Sequence, residues 1–456
     1  MKKRVLLTFI AIIILLSMVS CVADRSPIPS ETEASETEKS TSKPTAKPTA
    51  RPTKKPTEAP TAVPDYNSDV VIEGEEKEMQ DVTSYNLEKF LYPIWKEDIS
   101  YAEAAFVREN EDGDVEPIEL LYPIEKIISV RSSDLRTEYV CGIDYDVDEE
   151  GRLIVLESGR IPVLEYGKYF FKLTNAEHQA NKLKTKFPAH NNPGYGYIRA
   201  EVSSSSRGMG QWTLAVTYKH SAESVVSVPE SKSEVFAPLI EKLSAGEKIK
   251  IVSTGDSITD GWSSTGKVGI QPFCPQYNYL VEKYIKEAYD VETEHRNVGV
   301  SGSNSNGGVS KLGEICAEDP DLVIIAFGMN DGGGIPVADY VNNINTMVNT
   351  VKEECPDACV IVVGTALPND KVCWNPGSYN SLLVYHKEYA PALEEAEKEW
   401  TNAAFANVTK INEEMYSRKV YQDLSGSNSN HPNDYMHRIY AQVILQTMFG
   451  YCPAEQ

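Results

Sequence analysis

Three apolar runs, residues 249–252, 321–327 and 360–363, constrain this chain more than any other feature. Runs of this kind suit parallel strands that are covered on both faces. Helical periodicity fills the gaps between them. Tyr277, Leu280, Val281, Tyr284, Ile285 and Ala288 share one helical face, as do Val341, Ile344, Met347, Val348 and Val351. This alternation predicts an α/β fold over residues 236–456: a three-layer α/β/α unit on a parallel sheet, with its site beyond the carboxyl ends of the strands.

The texture of residues 91–235 is different. Short runs rich in β-branched and aromatic residues recur at 119–122, 126–130, 137–140, 152–156, 168–173 and 211–218. Turn-forming stretches such as 111–114 and 149–151 separate several of them. This spacing predicts a β-sandwich, jelly-roll-like, ahead of the α/β unit.

The first residues read as an export signal over residues 1–20. Lys2, Lys3 and Arg4 precede the apolar stretch Val5–Leu16, which is short for a membrane span. A small residue, Ser20, stands before Cys21. This resembles the lipobox of bacterial lipoproteins, which implies that Cys21 becomes a lipid anchor; plain secretion is the alternative. Residues 21–65 follow as a Pro/Thr-rich linker, with Pro44, Pro48, Pro52, Pro56, Pro60 and Pro64 at every fourth position. Such a segment favours extended polyproline II, and at about 3.1 Å per residue it reaches on the order of 100 Å. Residues 66–90 form an acidic lead-in. The expected location is extracellular, with the membrane as a partner through the anchor.

At 456 residues the chain is long enough for two folded units beside unstructured sequence. A net charge of −23 repels phosphate backbones and argues against nucleic acid as a partner. Apart from Cys21 there are seven cysteines, an odd number that does not make a complete disulfide framework. No Cys/His cluster has zinc spacing, and there is no glycine-rich phosphate loop, so neither metal nor cofactor is expected.

Four segments carry chemistry. In Gly255-Asp256-Ser257, at the exit of the first run, a tight turn suits a hydroxyl lifted out of a sheet. Ser257 is the nucleophile candidate, and it needs a base to remove its proton. In Asn297–Asn304, a glycine (Gly302 or Gly299) can bring a backbone N–H to a ligand. Gly328-Met329-Asn330-Asp331 follows the second run and offers the Asn330 amide. Asn430-His431-Pro432 leaves His431 on a loop, since Pro432 suits a helix start. Taken singly, each residue has a bland reading as turn, cap or packing. Asp256, Asp260 and Asp331 read as caps, and His437 as a surface or packing residue of the following helix.

Ser, Gly, Asn and His in this order, over roughly residues 248–449, resemble the SGNH (GDSL-like) hydrolases. The resemblance implies Ser257 as nucleophile and His431 as general base. It implies an oxyanion hole from the Ser257 N–H, the Gly302 N–H and the Asn330 side chain. The family often has an aspartate three residues before the histidine, where this chain has Asn428. Asn428, Asp423 and Asp434 are the candidates for orienting His431, with a Ser–His dyad as the alternative. Trp262 and Trp374 are candidates for lining a substrate pocket.

A β-rich region ahead of such a unit resembles two-domain carbohydrate esterases of the acetylxylan type. The implied activity is removal of acetyl or short acyl groups from acylated polysaccharide. Alternatives are a lipase or thioesterase with the same residues, an acyltransferase, and a non-catalytic glycan-binding lipoprotein.

Overall fold

Antiparallel pairing organises the first part of the chain, where β-branched and aromatic residues are dense. A computed structural model describes residues 87–172, 195–197, 207–370 and 382–450. The signal, Cys21, the linker, residues 66–86 of the acidic lead-in and Trp374 lie outside the described residues. In chain order the strands are β1 (Ile99–Phe106), β2 (Lys126–Ser132), β3 (Glu138–Tyr139), β4 (Tyr145–Val147), β5 (Leu153–Val155), β6 (Phe170–Lys172), β7 (Tyr195–Tyr197) and β8 (Thr213–Lys219). β1, β8, β2 and β3 lie side by side in that order as one antiparallel sheet.

This differs from the expected sandwich. Among the described residues the other strands of this part make only the two-stranded pairs β4–β5 and β6–β7. The four-stranded sheet finds its apolar cover elsewhere. Val130, Leu214, Val216 and Tyr218 belong to one buried cluster with Tyr435, Ile439 and Val443 of the α/β part. All the described residues fall within one compact unit.

The α/β part is built on β9 (Ile249–Gly255), β10 (Thr293–Asn297), β11 (Leu322–Ala326), β12 (Cys359–Val363) and β13 (Ala403–Ala406). They form a parallel sheet in the order β10-β9-β11-β12-β13. Alternate residues point to opposite faces of a strand, and the buried clusters separate accordingly. Ile249, Ile251, Leu322, Ile324, Ile361 and Ala404 lie with helices α1 (Ala237–Ser244), α3 (Tyr277–Tyr289), α8 (Val408–Met415) and α9 (Asp434–Phe449). Val252, Val323, Ile325, Val360, Val362 and Phe405 lie with α5 (Leu312–Cys316), α6 (Val337–Glu354) and α7 (His386–Ala396). The three layers follow from strands that are apolar on both faces. Two further helices, α2 (Ser257–Asp260) and α4 (Ser305–Ser310), begin beyond the ends of β9 and β10.

The antiparallel sheet is locked to the segment before α9 by buried charge. Lys419 Nζ lies 2.7 Å from Glu103 Oε1 on β1 and 3.4 Å from Asp423 Oδ2, and all three side chains are buried. Lys419 also donates to the Ala104 carbonyl at 2.8 Å. Such a group is stable only when each charge is paired. Arg438 of α9 adds donations to the carbonyls of Phe90, Ala102 and Tyr101.

Candidate active site

The turn after β9 is the starting point. A Cβ at Gly255 would lie 2.1 Å from Thr259 Oγ1 and 2.4 Å from the Ala326 carbonyl, so a side chain has no room there. Asp256 caps α2, accepting the Ile258 N–H at 2.8 Å. Ser257 is therefore the first helical residue, where backbone N–H groups are not used by the helix and favour negative charge. Its hydroxyl lies 3.0 Å from His431 Nε2, and both residues are largely buried.

His431 sits on a short serine- and asparagine-rich loop that hydrogen-bonds to itself. Its carbonyl accepts from Gly426 N at 3.0 Å and from Ser425 Oγ at 3.2 Å. Its N–H donates to Ser427 Oγ at 3.3 Å, and Ser425 bridges to Pro432. Trp262 stacks on the imidazole with ring centroids 5.5 Å apart, yet stays 42% exposed. His437 is fully buried, not at the surface; its Nε2 lies 3.4 Å from the Trp262 carbonyl. Burial pushes its pKa down to about 3, which makes it a neutral packing residue.

The oxyanion candidates stand on two neighbouring loops. Gly302 has φ 79°, a left-handed conformation that glycine adopts at no steric cost. Its N–H has no hydrogen-bond partner among the described residues. Asn330 Nδ2 donates to the Ser303 carbonyl at 2.8 Å. A primary amide has two N–H donors, so this bond orients the group and leaves the other N–H free to serve a ligand. Gly299 is used differently: its N–H donates to Asn297 Oδ1 at 2.9 Å.

Two of the three candidates for orienting His431 are occupied elsewhere. Asp423 accepts the Phe106 N–H at 2.6 Å and the Val420 N–H at 3.1 Å, besides pairing with Lys419. Asp434 accepts Thr265 N at 2.8 Å and Thr265 Oγ1 at 2.6 Å. Neither carboxylate meets the imidazole. Asn428 is buried at φ 61°, and its Oδ1 accepts from Asn369 at 3.0 Å and Gln422 at 2.7 Å. Its amide oxygen braces the His431 loop.

Two buried carboxylates carry more weight than their reading as caps implied. Asp331 accepts Ser305 N at 2.9 Å and Gly328 N at 3.0 Å, joining the loops that carry Gly302 and Asn330. Burial raises its pKa. Asp256 is pushed up to about 7 by burial, with the Asp331 charge adding to the effect. The only sequence signal for either role is an Asp directly beside Ser257 or Asn330. No group of three or more His, Cys, Asp or Glu among the described residues is placed to hold a metal ion.

Comparison with known proteins places this arrangement. Residues 254–439 match the GDSL-like Lipase/Acylhydrolase family model. Esterase TesA of Pseudomonas aeruginosa is 30% identical over 132 residues, which is 28% of this chain and 60% of that protein. A two-domain esterase (CEX) active on acetylated mannans, co-crystallized with mannopentaose, is 21% identical with a TM-score of 0.38. The similarity covers 48% of this chain and 54% of that one, so this chain spans about half the length of that esterase. A mutant of Axe2, an acetyl-xylooligosaccharide esterase from Geobacillus, is 20% identical with a TM-score of 0.36, over 45% of this chain and 95% of the other. Residues 254–439, the part of the α/β unit that holds Ser257, Gly302, Asn330 and His431, are thus similar to the GDSL-like lipase/acylhydrolase family.

Proposed function

We propose that the protein is an extracellular serine esterase that removes acetyl or other short acyl groups from polysaccharide. The observation that carries this reading is the 3.0 Å contact between Ser257 Oγ and His431 Nε2. In the tautomer with the proton on Nδ1, Nε2 accepts the hydroxyl proton as Oγ attacks the ester carbonyl. The oxyanion is met by the N–H groups of Ser257 and Gly302 and by the Asn330 amide, donors that act where the charge develops. Collapse breaks the bond to the sugar oxygen, which takes the proton back from His431. Water then attacks the acyl-enzyme with His431 again as base, releasing the acid and restoring Ser257.

The glycan is favoured by the exposed Trp262 ring that stacks on His431 at the site. Anchorage through Cys21, with the proline-rich linker as spacer, belongs to the same proposal. It places the esterase outside the cell, where insoluble glycan is met.

Turnover of 4-nitrophenyl acetate, and acid release from acetylated wall polymers followed by mass spectrometry, test the reading. Ser257→Ala and His431→Ala are expected to lower kcat by on the order of 10⁴-fold or more. Undiminished turnover in Ser257→Ala would remove the proposed nucleophile. A preference for long acyl esters over acetylated sugars would redirect the reading to a lipase. The mass of the mature N-terminus tests Cys21.

A further inference from the structure

A cavity of about 420 Å³ opens beside the turn that carries Ser257. Asp260, Lys267, Phe273, Gln276, Tyr279 and Asn297 line it. Its size falls in the roughly 300–1,000 Å³ range of small-molecule pockets. It is joined to the catalytic centre through Asp260. That residue ends α2, three positions after Ser257, and its Oδ2 accepts from Ser301 Oγ at 3.0 Å. Ser301 directly precedes Gly302, so one wall of the cavity is hydrogen-bonded to the oxyanion loop.

The lining has one particular chemistry. Lys267 Nζ meets Asp260 Oδ1 at 2.5 Å, and both side chains remain partly open to water. An ammonium and a carboxylate each keep further hydrogen-bonding capacity in such a pair. Gln276 is 6% exposed; its Nε2 makes only a long 3.5 Å bond to the Asp260 carbonyl. Among the described residues, Gln276 Oε1 and the Tyr279 hydroxyl have no partner. At the rim Phe273 is 50% exposed and held at φ 60°. That conformation is unfavourable for a bulky residue, and here it keeps an aromatic face in water.

Donors and acceptors of both signs beside an exposed aromatic ring match a neutral polyol with an apolar face. They make a poor seat for an acyl chain, which would strip water from the charges without replacing its hydrogen bonds. An anionic ligand would meet the Asp260 carboxylate. We propose that this cavity is a sugar-ring subsite, which seats a unit of the glycan backbone flanking the ester-bearing sugar. Its hydroxyls bond Asp260, Lys267 and Gln276, and its ring face lies on Phe273. The assignment rests on the glycan-esterase reading above and adds to it where the chain of sugars runs.

Phe273→Ala and Lys267→Ala test it, with kinetics on 4-nitrophenyl acetate and on acetylated xylo- and mannooligosaccharides. The expected result is a kcat/KM for the oligosaccharides that falls about tenfold more than that for nitrophenyl acetate, mostly through KM. Phe273→Tyr restores most of it. Lys398→Ala, an exposed residue remote from the site in sequence, serves as the control. A parallel fall on both substrates, or an oligosaccharide KM that does not move, overturns the subsite and leaves the esterase reading in place. A parent enzyme that cleaves nitrophenyl acetate but none of the acetylated oligosaccharides overturns the glycan reading and the subsite with it.

Discussion

The carboxylate of Asp331 receives the backbone N–H of Ser305 at 2.9 Å, from a helix that starts three residues after Gly302. The other oxygen of Asp331 receives the Gly328 N–H, two residues before Asn330. One buried side chain thus sets the spacing of the loops that carry two of the three proposed oxyanion donors. Asp331→Asn replaces one acceptor with an N–H donor facing an N–H. The expected outcome is a kcat on acetate esters lower by about 10- to 100-fold, the scale of a small misplacement of catalytic groups. KM moves much less. A kcat equal to the parent's would show that the loops hold their spacing without Asp331.

Asn330 has a different dependence, because its amide is aimed by the Ser303 carbonyl and is open on its second N–H. Asn330→Ala removes a donor and no buried packing. It is expected to reduce kcat by about 10²- to 10³-fold, as loss of one oxyanion donor does. Thermal melting within a few degrees of the parent would separate this from unfolding. A loss under threefold would exclude Asn330 from the oxyanion hole.

Asp256 makes stability depend on pH in a direction opposite to the usual surface carboxylate. Its carboxyl is held up to about 7 by burial, against 3.8 for the free group. Between these values the native state keeps a proton that the unfolded chain has released. Its contribution is therefore full below pH 3.8 and is lost as pH rises through about 7. Asp434, pushed up to about 6 by burial, acts in the same sense. His437, held down to about 3, acts in the other: its contribution is present above pH 6.5 and lost as pH falls. Asp256→Asn keeps an acceptor for the Ile258 N–H and does not titrate. Melting curves from pH 5 to 8 are expected to show the variant gaining a few degrees on the parent as pH rises. A constant difference across that range would mean that Asp256 does not titrate there.

Lys419 pairs with both Glu103 and Asp423 inside the protein. Lys419→Met leaves two carboxylates buried without a cation and is expected to cost about 3–5 kcal/mol, read from urea unfolding. Adding Glu103→Gln to that variant recovers part of the loss. A single variant within 1 kcal/mol of the parent, by the same principle, would show that water reaches the pair.

The strands that position the site were legible where an apolar run marks them: β9, β11 and β12 overlap the three runs. β1 was not. Its sequence, Ile-Ser-Tyr-Ala-Glu-Ala-Ala-Phe, carries the alanines and glutamate of a helix. It is a strand because it pairs antiparallel with β8, more than 100 positions further along the chain. β10 is a polar edge strand and β13 is mostly alanine, so neither has the pattern that marks a strand. No sandwich is seen among the described residues, for a related reason. Short runs with turns between them indicate strands, but what covers the sheet they form is decided by the partner. Here that partner is α9.

Local chemistry was enough to set out the α/β order, and the family resemblance to pick out Ser257, Gly302, Asn330 and His431 along it. Periodicity and turn preference act over a few residues, and so can be read from a few residues. Tertiary structure alone decided that Ser257 and His431, 174 positions apart, lie 3.0 Å from each other. It also decided that the carboxylates of Asp423 and Asp434 go to Phe106 and Thr265 and not to the imidazole. A buried carboxylate bonds to whichever donors the packed chain brings to it, and that is a property of long-range packing.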